Sequence, residues 1–111
     1  MKSKTKESWG HEETIAHTSK YIVKKLSIRA GQKLKRRFHL REKENVYVDE
    51  GVLLLDLSES EDESNVLKLE SGKFWQIYPK KVYRFCAPSD QNVVLFTITT
   101  PEKKDVFYFN E

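Results

Sequence analysis

The stretch that decides the fold is residues 35–57, which read KRRFHLREKENVYVDEGVLLLDL. In its first part, Phe38 and Leu40 point to one side of an extended chain, and Arg37 and His39 point to the other. Two apolar-rich segments follow on either side of a Glu-Gly pair at position 50, a pattern typical of a β-hairpin. The stretch therefore predicts three short antiparallel strands.

Short extended segments separated by turn residues continue in both directions from this stretch. The predicted strands cover residues 21–29, 35–41, 45–49, 52–57, 66–70, 74–78, 82–86, 93–99 and 105–109. Many short strands at regular spacing predict an all-β sandwich or barrel with room inside for a small ligand. Residues 11–20 are expected to form one turn of helix, and residues 1–8 a flexible N-terminal arm before a single domain over residues 9–111.

The composition fits one modest domain. The chain has 111 residues, of which 12% are aromatic, so a single hydrophobic core is feasible. Cys86 is the single cysteine, which removes any intrachain disulfide and any cysteine-based zinc cluster. No long apolar run is present, so neither a membrane span nor a signal peptide is expected. These features predict a cytoplasmic protein.

Charge is unevenly distributed along the chain. Residues 20–43 carry ten basic side chains and one acid, whereas residues 49–70 carry eight acids and one base. Such blocks steer an anionic partner, attract each other across a homodimer, or are ordinary solvated surface. The segment 33–41 mixes basic and aromatic residues as nucleic-acid sites do, but strand alternation would send Lys35, Arg37 and His39 into the barrel and Arg36 outward. A small anion is therefore a better fit than a nucleic acid.

Five segments occur in the order found in a known family. They are WGHEE at 9–13 with AHT at 16–18, AGQKL at 30–34, FH at 38–39 with the Glu at 44 and the Gly at 51, the segment 72–83, and TPE at 100–102 with DV at 105–106. This order resembles small cupins related to mannose-6-phosphate isomerase (type II), and also the isomerase domain of mannose-1-phosphate guanylyltransferase. The resemblance implies a single-domain cupin, which is a double-stranded β-helix or jelly-roll barrel.

The resemblance also implies a divalent metal held by four side chains inside the barrel. Two of the four positions carry suitable ligands, His39 and Glu44, and the other two carry Arg37 and Tyr83. An arginine has no lone pair to donate and stays charged, and a tyrosine with its usual pKa of about 10 is a poor ligand. We therefore expect no cofactor. If a metal is bound, it would be Mn, Fe, Ni or Zn at His39 and Glu44.

The two substitutions together predict a polar cluster in place of the metal. We expect the guanidinium of Arg37 to occupy the metal's volume and pair with Glu44, with Tyr83 donating to the same carboxylate and His39 beside it. The predicted ligand-binding residues are Arg37, His39, Glu44, Tyr83 and Lys35, and the candidate catalytic residue is His39. Lys80, Lys81 and Arg84 are expected to add positive charge at the barrel mouth.

The sequence supports three functional interpretations. The first is a protein that binds an anionic sugar or sugar phosphate, with the family's metal site lost or weakened. The second is a metal-dependent sugar-phosphate isomerase similar to mannose-6-phosphate isomerase, or one that uses His39 as an acid–base group. The third is a homodimer without a ligand. The sequence leaves open whether the protein is an enzyme, because fold similarity does not establish activity.

Overall fold

The computed structural model describes residues 3–101 and 105–109, and this part of the chain forms eleven strands and no helix. The strands are β1 (Ser3–Glu7), β2 (Gly10–His17), β3 (Ile22–Ile28), β4 (Arg37–His39), β5 (Glu44–Glu50), β6 (Val52–Asp56), β7 (Val66–Glu70), β8 (Phe74–Ile77), β9 (Arg84–Cys86), β10 (Val93–Thr99) and β11 (Val106–Tyr108). Within these ranges, no helix has the length and apolar character needed to cross a membrane.

The strands build two layers. The larger sheet has six antiparallel strands in the order β1-β2-β3-β10-β5-β8. The other layer contains the sheet β7-β6-β9 and the pair β11-β4. Bridges between Arg37 and Tyr83 and between Lys33 and Cys86 join those two parts into one layer. The joined layer brings β4 next to the chain segment that leads into β9.

One hydrophobic core fills the space between the layers. Alternate residues of β5 and β10 are buried, as are alternate residues of β6, because every second side chain of a strand points inward. The fully buried apolar side chains include Ile28, Val46, Leu55, Phe85 and Leu95, and they come from both layers. Burying each of them contributes about 2 kcal/mol. The predicted all-β, single-domain fold is confirmed.

Most predicted strands are present within two residues at each end, and β7 and β10 match their predictions at both ends. The helical turn predicted for residues 11–20 is wrong, because Gly10–His17 is strand β2, which pairs with β1 and β3 on its two sides. Hydrogen bonding to both neighbours holds this segment extended.

The flexible arm predicted for residues 1–8 is also corrected. Ser3–Glu7 form β1, which pairs with β2 over its whole length while all five of its side chains stay exposed. Backbone pairing alone therefore defines this strand. Three parts of the sequence-based predictions lie outside the described residues. They are residues 1–2 of the predicted arm, Glu102 of the TPE segment and residues 110–111 of the predicted domain.

Candidate functional site

A cavity of about 200 Å³ lies between the layers, beside the polar end of the core. Its wall combines charged, hydroxyl and aromatic side chains, among them Lys24, Arg37, His39, Glu44, Thr97 and Asp105. The charged residues of the wall come from β2, β3, β4, the turn after β4, β5 and the segment before β11, so six separate parts of the chain meet there. A mixed polar wall of this kind suits a small polar ligand rather than an apolar one.

Strand geometry brings the predicted cluster together. Arg37 and His39 are two residues apart on β4 and therefore share a face. Glu44 begins β5 and is buried. Tyr83 is fixed opposite Arg37 by two backbone hydrogen bonds of 2.9 and 3.0 Å. The four side chains thus converge at one end of the core, in the contacts expected from the sequence.

The carboxylate of Glu44 is the centre of this cluster. Nη2 of Arg37 donates to both of its oxygens, at 3.2 and 3.3 Å. The hydroxyl of Tyr83 donates to Oε1 and accepts a hydrogen bond from Nε of Arg37 at 3.0 Å. Nε2 of His39 lies 3.1 Å from the same Oε1. Glu44 therefore has a partner for each of its oxygens, although it is buried.

These partners determine the charge of Glu44. Burial by itself raises the pKa of a carboxyl group, but the charge of Arg37 and the hydrogen bond from His39 outweigh burial and hold the pKa of Glu44 below its usual value. Glu44 is therefore ionised at neutral pH. An ionised glutamate beside a permanent guanidinium forms a compensated pair inside the barrel.

Aromatic rings hold the guanidinium of Arg37 in place. Its central carbon lies 4.9 Å from the ring centre of Phe85, 5.2 Å from that of Tyr83 and 6.0 Å from that of Tyr108. Contacts of a cation with ring faces are attractive and strengthen as water is removed. With only 12% of its side chain exposed, Arg37 is fixed by both rings and hydrogen bonds.

Asp105 is a site residue that the sequence analysis did not identify. Its Oδ2 lies 3.3 Å from Nδ1 of His39, and its carboxylate accepts the backbone N–H groups of Arg41 and Glu42 at 2.9 and 3.0 Å. Burial raises the pKa of Asp105, but these backbone donors and His39 together lower it below its usual value. Asp105 thus fixes both the turn after β4 and the ring of His39.

Thr97 is a second residue that the sequence analysis missed, although a signal was available. It is a buried polar residue at an inward position of β10, between Leu95 and an exposed Ile98. A hydroxyl residue at a core position of an otherwise apolar strand is a recognisable exception to the alternation. No such signal marks Lys24 on β3. Its Nζ lies 3.1 Å from Oε2 of Glu12 on the neighbouring strand β2.

The residues present do not fit the divalent metal that the resemblance implies. His39 directs its two ring nitrogens toward carboxylates on opposite sides, Glu44 and Asp105, so the three donors do not converge on one point. Arg37 holds both oxygens of Glu44. Across residues 3–101 and 105–109, no group of three or more His, Cys, Asp or Glu side chains has the arrangement needed to hold an ion.

The position predicted for Lys35 is wrong. We expected it inside the barrel beside Arg37, but its side chain is exposed and lines a neighbouring groove instead of the cavity. The reason is that β4 begins only at Arg37. The alternation of a strand does not extend back through the irregular segment before it.

The basic residues near β9 also differ from their predicted positions. Arg84 is buried and bound to Asp56 at 2.9 Å, away from the cavity, and neither Lys80 nor Lys81 lines the cavity. Arg36, expected to face outward, is only 3% exposed and donates to Glu61 at 2.8 Å. Arg36 and Arg84 thus form a structural ion-pair network with Asp56 and Glu61.

No protein-family model matches the chain, and no curated protein sequence matches it. Solved structures do match. The polyketide cyclase RemF of Streptomyces resistomycificus superposes with a TM-score of 0.78 at 14% identity, over 91% of this chain and 71% of RemF. KdgF of Halomonas sp. superposes with a TM-score of 0.73 at 16% identity, over 89% of this chain and 86% of KdgF.

A third match is an uncharacterized protein of Klebsiella pneumoniae with a double-stranded β-helix domain. Its TM-score is 0.77 at 13% identity, over 90% of this chain and 84% of that protein. None of these three structures supports the finer resemblance to mannose-6-phosphate isomerase. Likeness at such identities concerns the fold alone. The two facing antiparallel layers and these matches together identify the chain as a protein with the double-stranded β-helix fold of the cupins.

Proposed function

We propose that this protein binds a small hydroxyl-rich molecule with one acidic group, such as an anionic sugar or a sugar phosphate, in the cavity between its layers. The observation that carries the proposal is the state of Arg37. Its Nε and Nη2 are bonded to Tyr83 and Glu44, whereas Nη1 has no hydrogen-bond partner within residues 3–101 and 105–109. This remaining donor lies on a charged group that lines the cavity.

The balance of charge in the cavity limits the part of the ligand inside it to one acidic group. Glu44 is paired with the charge of Arg37, and Asp105 has hydrogen-bond partners in His39 and in backbone N–H groups. Glu42 adds a further carboxylate to the wall, so a polyanion would be repelled there. Carboxylates and threonine hydroxyls instead accept hydrogen bonds from ligand hydroxyls. A sugar with a single carboxylate or phosphate meets both conditions.

The fold gives this proposal independent support. RemF, a polyketide cyclase, has the same fold, so a barrel of this kind accommodates a small organic molecule. Arg37 and Glu44 form an ion pair at 3.2 Å inside the barrel, which supports a polar binding site there. A homodimer and a cytoplasmic location remain predictions from the charge blocks and the composition.

Calorimetric titration with galacturonate, mannose 6-phosphate and glucose tests the proposal. We expect at least one of the two anions to bind at least tenfold more tightly than glucose, a difference of about 1.4 kcal/mol. The variant Arg37→Gln/Glu44→Gln removes the cation without leaving a buried charge, and it should lose this preference. Lys68→Gln, an exposed change on β7, is the control. Equal affinity for glucose, or no binding of either anion, would contradict the proposal.

The alternative proposal is a sugar-phosphate isomerase of the mannose-6-phosphate isomerase-like type. It is favoured by His39, whose ring lies between Asp105 and Glu44, since a carboxylate at one nitrogen positions an imidazole for proton transfer at the other. A metal-dependent form is disfavoured, because Arg37 occupies the carboxylate that would bind the ion. Conversion of mannose 6-phosphate to fructose 6-phosphate that is lost in His39→Gln would favour this alternative.

A further inference from the structure

We infer that the bound molecule extends beyond the cavity into an adjoining groove, so that the ligand is an acidic saccharide of at least two units. This inference rests on the proposed function and names its ligand class more closely. The basic groove, as we call it, is lined by Trp9, Lys33, Lys35, Arg37 and Tyr108, together with the β1–β2 turn.

The cavity and the basic groove form one continuous surface. Three residues, Glu12, Arg37 and Tyr108, line both of them, so the two spaces meet at the guanidinium. The cavity alone, at about 200 Å³, is smaller than the roughly 300–1,000 Å³ of most ligand pockets. The groove has a volume of about 390 Å³. A ligand that filled the cavity and passed Arg37 would enter the groove directly.

The groove has the opposite charge balance to the cavity. Lys33 and Lys35 form no salt bridge with any residue in the described ranges. Of the two acids that line the groove, Glu12 is already bound to Lys24. An excess of positive charge remains and favours an acidic group on the second unit of the ligand.

Aromatic side chains at the groove suit the apolar face of a sugar ring. Trp9 packs partly on the core and contributes to the groove wall, and Tyr108 is 61% exposed between groove and cavity. Large, rigid aromatic groups bury much apolar area and lose little conformational freedom on binding. The aromatic rings of the groove therefore suit the ring of a sugar unit, and the neighbouring lysines suit its acidic group.

The wall of the groove is held in place before any ligand binds. The guanidinium of Arg29 donates to the carbonyl oxygen of Ser8, and its backbone N–H donates to the carbonyl oxygen of Trp9 at 2.9 Å. These bonds tie the β1–β2 turn to the end of β3. A wall that is already ordered lowers the entropy cost of binding.

The test compares galacturonate with its α-1,4-linked dimer by calorimetry. We expect the dimer to bind the wild-type protein at least tenfold more tightly than the monomer. In Lys33→Gln/Lys35→Gln, the ratio of the two dissociation constants should fall to about twofold or less. The control Lys68→Gln/Lys73→Gln changes the same net charge at exposed positions outside the groove and should keep the wild-type ratio. Circular dichroism melts verify that each variant is folded.

The outcomes separate this inference from the proposed function. If monomer and dimer bind with equal affinity, the groove is not a subsite and the inference is overturned, while the cavity proposal stands. If neither binds, and mannose 6-phosphate does not bind either, the proposed function fails and the inference fails with it. If the Lys33→Gln/Lys35→Gln variant keeps the wild-type ratio of the dissociation constants for monomer and dimer, the role given to the two lysines is overturned.

Discussion

Nη2 of Arg37 lies 3.2 Å from Oε2 of Glu44, inside the barrel. Glu44 is 3% exposed, and a buried carboxylate without a partner is strongly destabilising. The arginine therefore does electrostatically what an ion would do for this carboxylate. It does so with a charge that never dissociates.

The Arg37–Glu44 pair should show strong coupling in a double-mutant cycle. Arg37→Met leaves the charge of Glu44 buried and is expected to lower the free energy of unfolding by about 3 kcal/mol. Adding Glu44→Gln to that variant removes the orphaned charge and should recover part of the loss. Urea denaturation of the four proteins measures the coupling, which we expect to exceed about 1 kcal/mol. Additive effects of the two changes would show that they do not interact.

A metal site should be recoverable from this chain. Arg37→His/Tyr83→His places imidazoles at the two positions where the resemblance noted from the sequence implies ligands, next to His39 and Glu44, and removes the guanidinium from the carboxylate. We expect this double variant to take up Zn²⁺ or Ni²⁺ and to melt at a higher temperature when the metal is added. The same variant carrying His39→Ala as well is the control. Equal metal uptake in the control would refute a site built on His39.

Stability should depend on pH through Asp56, which lies outside the cavity. Burial raises its pKa, but hydrogen bonds from Ser58 and Arg84 outweigh burial, so its folded-state pKa lies below the ordinary value of 3.8. Because the pKa of Asp56 is lower in the folded state, its ionised carboxylate stabilises the fold above pH 3.8. This stabilisation is lost as the pH falls through the folded-state pKa. Asp56→Asn should therefore cost about 3 kcal/mol at neutral pH.

The cost of Asp56→Asn should shrink as the pH falls below 3.8 toward about 3, because the carboxylate of the unfolded wild-type chain then takes up a proton and the ionised folded form loses its advantage. Urea denaturation of both proteins at several pH values between these limits measures the change. The exposed change Asp62→Asn in the acidic loop serves as the control. A constant gap between Asp56→Asn and wild type across this range would contradict the assignment.

Two glycines with positive φ form a matched pair. Gly51 (φ +81°) and Gly72 (φ +89°) both adopt a backbone conformation that costs other residues about 1–2 kcal/mol. A Cβ on Gly51 would lie 2.4 Å from the carbonyl oxygen of Asn92, whereas a Cβ on Gly72 would meet nothing within 4 Å. Gly51→Ala should therefore lower the melting temperature more than Gly72→Ala. Equal shifts would mean that the backbone at Gly51 moves without cost.

The centre of the site could be predicted from sequence because it lies on regular strands. Arg37 and His39 keep the two-residue period of β4, and Glu44 starts the next strand. Where the backbone is irregular the same reasoning failed. Lys35 lies before β4 and turned out exposed. Asp105 precedes β11, and its contacts with the turn after β4 depend on pairing distant in sequence, which local patterns do not encode.

Two further differences between the sequence-based predictions and the structure have separate physical causes. Arg36 is buried because Asp56 and Glu61 supply charged partners for it, and partners from other strands are not visible in a local alternation. Strand β1 is polar along its whole length and stays exposed, so it carries no apolar period at all. It exists through its backbone bonds to β2, and sequence patterns based on burial cannot detect such a strand.

Metal analysis of the wild-type protein tests the central claim most directly. The protein would be purified, incubated in turn with Mn²⁺, Fe²⁺, Ni²⁺ and Zn²⁺, passed through a desalting column and measured by mass spectrometry, with anomalous diffraction to locate any retained ion. With the guanidinium of Arg37 on the carboxylate of Glu44, we predict far less than one ion per chain. One tightly held ion per chain, coordinated by His39 and Glu44 with Arg37 displaced, would contradict the account.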